Sequence, residues 1–336
     1  MRNYTVAVVG ATGAVGQTML KILEERNFPV GKLVPLASSR SAGQQVTFKN
    51  QSFTIQETRP EAFNGVDLAL FSAGTDISRQ LAPEAVKRGA VVVDNSNAFR
   101  MNPEVPLIVP EVNPEAIKDH KGLIANPNCS TIQMLVVLKP LHDRAKIKRV
   151  VVSTYQAVSG TGLEAIAELN EQCKQVLAGQ QVQPSVYPYQ IAFNVLPHID
   201  VFDSTGYSLE EWKMTRETKK VMGADIAVTA TTVRVPVYYS HSEAVNIETE
   251  YKLSPEEARR VLEAAPGVSV VDDPSKLQYP LPIMATGRDE VFVGRIREDF
   301  TIDHGLNLWI VADNVRKGAA LNAVQVAELI VNKGLL

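Results

Sequence analysis

The string Gly10-Ala-Thr-Gly13-Ala-Val-Gly16 lies directly after the strand-like run Tyr4–Val9 and opens a helical stretch, Val15–Glu25. Glycines at such a junction allow a tight turn and let backbone N–H groups approach an anion at the positive end of a helix. The spacing is G-x-x-G-x-x-G, where the commoner dinucleotide fingerprint has G-x-G-x-x-G. A glycine-rich string by itself also fits an ordinary strand-to-helix turn. Its place after the first strand of an alternating pattern makes it a pyrophosphate loop, with Gly10, Thr12, Gly13, Ala14, Val15 and Gly16 as the expected contacts.

The alternation continues through Leu33–Ala37, Asp67–Phe71 and Val91–Asp94 as strands, with a helical segment Ile77–Arg88. Strands separated by helices require crossovers, so the sheet is mostly parallel and the domain doubly wound. After Asn126 the character changes. A helix is expected from Cys129 to about His142, followed by longer alternating runs at Arg149–Tyr155, Asp225–Arg234, Glu243–Tyr251, Val291–Arg297 and Leu306–Ala312. Helical stretches at Leu163–Ala178, Leu209–Val221 and Pro255–Ala264 lie between them. The apolar spacing of Val315–Val331 predicts a last helix that returns to the first domain. The fold class is thus α/β: a Rossmann-type doubly wound parallel-sheet domain over 1–128, completed by a C-terminal helix in 315–336, plus an α+β domain with a mixed sheet over 129–314.

A chain of 336 residues is long enough for two such cores. Its net charge of -3 gives no electrostatic reason to expect nucleic acid or an anionic membrane as partner. The purely apolar runs, such as Met134 to Leu138, are too short to span a bilayer. No apolar stretch with a small-residue cleavage site precedes the first strand, so no signal peptide is expected. Two cysteines, Cys129 and Cys173, are too few for a disulfide scaffold and fit a reducing cytoplasm. No metal is expected.

The end of the second strand discriminates between nicotinamide cofactors. A carboxylate there would take the ribose 2′-hydroxyl of NAD. This chain has Ala37-Ser-Ser-Arg40-Ser41 instead, offering a planar cation and hydroxyls suited to a 2′-phosphate. NADP is the expected cofactor, with Arg40 and Ser41 at its ribose.

Asn126-Pro-Asn128-Cys129-Ser-Thr131 sits where the sheet domain ends and a helix begins. Pro127 disfavours helix before it and Asn128 is a good N-cap, which puts the Cys129 thiol in the first turn. Helix dipole and free N–H groups favour a thiolate there, and a thiolate attacks acyl carbons. Cys173, inside a helical stretch, reads as a packed residue.

These motifs, with Asp94-Asn-Ser-Asn-Ala-Phe-Arg100, Ser153-Thr-Tyr-Gln-Ala-Val-Ser-Gly160, Glu210-Glu-Trp-Lys213 and the stretch from Arg234 to Glu243, occur in one order over nearly the whole chain. Together they strongly resemble the aspartate-β-semialdehyde dehydrogenase family, its bacterial branch above all. Asn97 departs from the pattern, which has serine there.

The resemblance implies reversible, NADPH-dependent conversion of aspartyl β-phosphate to aspartate β-semialdehyde and phosphate, a step toward lysine, threonine, methionine and isoleucine. It implies that Cys129 forms an acyl thioester, that Gln156 aligns the acyl group, and that His241 serves as acid/base, exchanging a proton near neutral pH. It gives Arg234 the substrate α-carboxylate, Glu210 the α-ammonium, and Arg100 and Lys213 the phosphate, with Asn128 beside them. Ser159, Gly160 and Asn314 are implied at the nicotinamide end. A homodimer is implied, for which a sheet-rich second domain offers a surface.

Two of these roles carry open questions in the residues themselves. Arg234 and His241 are seven positions apart, and an unbroken strand would point them to opposite faces; Pro236 argues for a break. Glu210 and Lys213 share a helix face, but such a pair is by itself a commonplace surface ion pair. The nearest rival reading is N-acetyl-γ-glutamyl-phosphate reductase, whose acylated amine would leave Glu210 without an ammonium to meet. A non-catalytic NADP-binding paralogue is the rival from another class, and it need not keep Cys129, Gln156, Arg234 and His241 together. Glyceraldehyde-3-phosphate dehydrogenase is more distant, its substrate lacking an amine.

Overall fold

The computed structural model describes residues 2–336. The chain forms two compact units, Met1–Asn128 with Ala319–Leu336, and Cys129–Gly318.

In the first unit β1 (Tyr4–Val9) leads through the glycine loop into α1 (Ala14–Glu25), then β2 (Val30–Ala37). A hairpin follows, β3 (Gln45–Phe48) and β4 (Gln51–Thr54), then the short β5 (Gln56–Glu57), β6 (Leu68–Phe71), α2 (Thr75–Lys87), β7 (Val91–Asp94) and β8 (Leu123–Ala125). The sheet order is β5-β2-β1-β6-β7-β8, and every pairing in it is parallel. β2 lies on one side of β1 and β6 on the other, so the order reverses beside the glycine loop, where doubly wound sheets bind ligands. The strands read as continuous apolar runs because both faces are covered: Val6, Val8, Leu68 and Leu70 face one core, Ala7, Val9, Ala69 and Phe71 the other. The β3–β4 hairpin was not legible as strands. Its strands are only four residues each and mostly exposed, although Val46, Phe48 and Phe53 pack on the core, and the two-residue turn Lys49-Asn50, with φ of 48° and 60°, joins them.

The second unit begins with α3 (Cys129–Ala145), β9 (Ile147–Gln156), α4 (Leu163–Leu177), α5 (Leu209–Met222), β10 (Ala227–Arg234) and β11 (His241–Thr249). It continues with α6 (Pro255–Glu263), β12 (Val268–Val270), α7 (Pro282–Ala285), β13 (Val291–Asp299) and β14 (Gly305–Ala312). The mixed sheet runs β10-β9-β11-β14-β13-β12, with β10–β9 and β12–β13 parallel and the rest antiparallel. Residues alternate along it. On β11, His241, Glu243, Val245 and Ile247 are buried, while Ala244 and Asn246 lie on the more open face. The last helix, α8 (Leu321–Asn332), packs on α1 in the first unit, after a π-helical turn at Arg316–Ala320.

Candidate active site

Cys129 is the first residue of α3 and is half-buried. Ile132 through Leu138 and Leu141 are buried on every side of this helix, so it is a central element rather than an amphipathic cover. A Cβ built on Gly318, in the π-helical turn, would lie 2.9 Å from the Cys129 Cβ. Only glycine leaves that side of the thiol uncrowded, and π-helical turns recur at functional sites.

Three strand ends meet at one edge of the mixed sheet. Gln156 closes β9, Arg234 closes β10 directly opposite it, and His241 opens β11. The strand break lies at 235–240, where Ser240 takes a φ of 74°. That break lets side chains of opposite strand parity converge. A Cβ on Gly160 would sit 3.1 Å from Arg234 Nη1 and 3.4 Å from His241 Nε2. β11 begins two residues earlier than its sequence pattern indicated, because His241 pairs in register with Ala312 of β14.

Ala157 holds both side chains through its backbone. Its N–H donates to His241 Nδ1 at 3.0 Å and its carbonyl accepts from Arg234 Nη1 at 2.7 Å. Arg234 Nε is buried without a hydrogen-bond partner, so one edge of the guanidinium is left for an oxyanion. With Nδ1 occupied as an acceptor, neutral His241 carries its proton on Nε2, which is buried and unpartnered. Burial, reinforced by the Arg234 guanidinium, pushes His241 well below the ordinary histidine value. Burial thus favours the neutral ring, whose Nε2–H is a hydrogen-bond donor.

α5 starts with a capping box. Ser208 Oγ accepts from the Glu211 N–H and the Glu211 carboxylate accepts from the Ser208 N–H. Glu211 is thus structural, which leaves Glu210, buried, to turn inward. Glu210 Oε1 accepts from Gln156 Nε2 at 3.2 Å and Glu210 Oε2 meets Lys213 Nζ at 3.1 Å. The pair, with Glu210 buried and Lys213 half-buried, is therefore joined to Gln156, unlike a solvated surface ion pair. Lys213 also bonds Asp200 Oδ2 at 2.8 Å. Burial pulls the Lys213 ammonium down, but the carboxylates of Glu210 and Asp200 outweigh it, so the group stays above the ordinary lysine range.

Ser159 and Asn314 come together: the Asn314 amide donates to Ser159 Oγ at 3.0 Å, and Asn314 Oδ1 accepts from the Ser240 N–H at 2.9 Å. In the first unit, Gly10 has a φ of 83°, and a Cβ there would fall 2.4 Å from the Ser72 carbonyl oxygen. A Cβ on Gly16 would fall 2.1 Å from the Gly10 carbonyl oxygen. Gly13 caps α1, donating its N–H to Gly10 at 3.0 Å, and Thr12, Ala14 and Val15 complete the turn. This cradle fits a dinucleotide pyrophosphate. Arg40 is exposed at the end of β2, in the turn where Ser41 N–H bonds the Ser38 carbonyl. Arg100, buried in the same unit, donates to the carbonyls of Asn126 and Asn95 at 2.9 Å, beside the buried Asn128. The departure at Asn97 is a loop contact, accepting from Thr75 Oγ1.

Sequence reasoning missed Ala157, Asp200 and Gly318. The first acts through its backbone, the second sits in an irregular loop, and the third is a packing glycine. None carries a periodic signal.

Residues 5–120 match the family model described as semialdehyde dehydrogenase, NAD binding domain, and residues 138–317 match semialdehyde dehydrogenase, dimerisation domain. The chain is 60% identical to an aspartate-semialdehyde dehydrogenase of Aquifex aeolicus, over 99% of this chain and 100% of that protein. Among solved structures it resembles aspartate semialdehyde dehydrogenase II of Vibrio cholerae complexed with ASA, with TM-score 0.96 and 47% identity over 99% of each chain. It also resembles the Candida albicans enzyme with NADP, with TM-score 0.78 and 26% identity over 100% of each chain. The chain belongs to the aspartate-semialdehyde dehydrogenase family.

Proposed function

We propose that this chain reduces L-aspartyl 4-phosphate to L-aspartate 4-semialdehyde through an acyl thioester on Cys129. The observation that carries the reading is that a buried cation and a buried anion both neighbour Gln156, Arg234 opposite it in register and Glu210 bonded to it. Arg234 presents an unpartnered Nε, suited to an α-carboxylate, and Glu210, bonded to Gln156, is suited to an α-ammonium.

The Cys129 thiolate attacks the acyl carbon, the C–O bond to phosphate breaks, and inorganic phosphate leaves. Lys213 and Arg100 neutralise that dianion, with Asn128 at the same end. Bound NADPH supplies the hydride that reduces the thioester. Gln156 aligns the acyl group. His241, neutral with its proton on Nε2, donates a hydrogen bond to the acyl oxygen as charge develops on it. The thiohemiacetal then collapses, and the Cys129 sulfur leaves as the aldehyde forms.

Gly10 to Gly16 cradle the pyrophosphate, Arg40 and Ser41 take the 2′-phosphate, and Ser159, Gly160 and Asn314 border the nicotinamide. NADP is favoured by the absence of a carboxylate after β2 and by the likeness to a relative solved with NADP. Unit 129–318 carries catalysis and, through its more open sheet face bearing Tyr155 and Trp309 with rings 5.5 Å apart, a homodimer contact. Two thiols outside any disulfide fit the cytoplasm, and no helix among the described residues is long and apolar enough to cross a membrane.

The test is phosphate-dependent reduction of NADP with aspartate semialdehyde, run beside N-acetylglutamate semialdehyde. Turnover of the free amine alone is expected. Preference for the acetylated substrate would transfer the chain to the reductase reading.

A further inference from the structure

Glu243 is an anomaly beneath this site. Its side chain is fully buried, and neither carboxyl oxygen has a hydrogen-bond donor. An ionised carboxylate in that position would cost several kcal/mol without compensation. The neighbours across the sheet, Thr154 on β9 and Ile310 on β14, are uncharged, and His241 on the same face of β11 is neutral. Burial raises the carboxyl well above the ordinary carboxylate range, and the Gln133 side chain is the hydrogen-bonding group within its reach.

Gln133 supplies the second half of the observation. It is fully buried on α3, four residues after Cys129 and so on the same helix face. Its Nε2 reaches the His241 carbonyl at 3.4 Å, while its Oε1 has no donor. Two neighbouring groups each present acceptor oxygens without a donor, and a proton on one carboxyl oxygen links them.

We infer that Glu243 is a positioning residue kept as the neutral acid, donating its proton to Gln133 Oε1 and so clamping the helix that begins at Cys129 to the strand that begins at His241. The inference rests on the reading of Cys129 as nucleophile and His241 as its partner. The neutral form also keeps a negative charge away from a site that must accept a thiolate and an acyl phosphate.

Three measurements on the full chain test it. Glu243→Gln keeps a donor of the same shape without charge and should retain kcat within about threefold. Glu243→Met fills the volume without a donor; kcat should fall about tenfold with both KM values nearly unchanged, while the melting temperature rises. A clamp lost with its fold would lower both. The raised carboxyl's contribution to the folded state is full below the unfolded value of about 4.3 and is lost as pH rises toward the folded value, so the parent's stability should drop relative to Glu243→Met as pH rises from 5 to 7. The pH midpoint for Cys129 alkylation by iodoacetamide should be the same in the parent and in Glu243→Gln, and the infrared carbonyl band of a protonated acid should vanish in that variant. Equal damage in the Gln and Met variants, a lower alkylation midpoint in Glu243→Gln, or no acid band in the parent would overturn the inference. Full activity in Glu243→Met would do the same. If the parent lacks the dehydrogenase activity the functional reading fails, while the infrared and alkylation results still report on Glu243.

Discussion

Gly318 leaves room for Cys129: a methyl group at position 318 would stand 2.9 Å from the Cys129 Cβ, well inside van der Waals contact. Gly318→Ala is therefore expected to displace the nucleophile by a few tenths of an ångström and lower kcat at least about tenfold, since small misplacements of reacting groups are costly. Steady-state kinetics with a thermal melt checks this. Unchanged kcat in a folded variant would show that the thiol tolerates the contact.

Cys129→Ala should abolish turnover and leave NADP binding intact, because the phosphate loop and the thiol lie in different units. Substrate should protect Cys129 from iodoacetamide. Cys173, on α4 against the apolar cluster around Leu169, should be dispensable, so Cys173→Ala keeps activity. Substrate-protected labelling at Cys173 would refute the covalent assignment.

Arg40→Ala should weaken NADP binding by about 1.5–3 kcal/mol, the scale of one hydrogen bond to a charged group. NAD binding should scarcely change. Calorimetry with both cofactors decides it, and equal losses would place Arg40 away from the ribose.

The substrate's charges give separable effects. Arg234→Lys keeps a cation but loses the planar fork and the bond to the Ala157 carbonyl, so it should cost much of the activity. Glu210→Gln should erode selection for the free amine over the N-acetylated substrate. Lys213→Ala should raise the KM for phosphate more than that for the semialdehyde. Untouched amine selectivity in Glu210→Gln would remove Glu210 from the ammonium site.

His241 links stability to acid. Its folded value is depressed, so below the ordinary value of about 6.5 the unfolded chain takes up a proton that the native chain refuses. Stability contributed above that value is lost as pH falls. Between pH 6.5 and 5 the parent should lose up to about 1.4 kcal/mol per pH unit more than His241→Asn. Denaturant titrations at several pH values measure it. Parallel slopes would mean that folded His241 accepts the proton.

The sequence by itself determined the doubly wound sheet, the mixed sheet and the sites of Cys129 and the glycine cradle. Each rests on local chemistry: β-branched runs at strand spacing, and glycines with no alternative at a crowded strand-to-helix turn. The β3–β4 hairpin was not legible because each strand is only four residues long, too short for the alternation of Val46 and Phe48 with Gln45 and Thr47 to stand out. Tertiary structure decided how Arg234 and His241 meet, since parity along a strand forbids it and only the break at 235–240, with Ala157 bonding both, permits it. It decided that Glu210 is buried and Lys213 half-buried, which three-residue spacing on a helix leaves open. It decided the burial of His241 and Glu243, which lowers the one pKa and raises the other, because desolvation depends on what covers a side chain, and a one-dimensional pattern does not contain that.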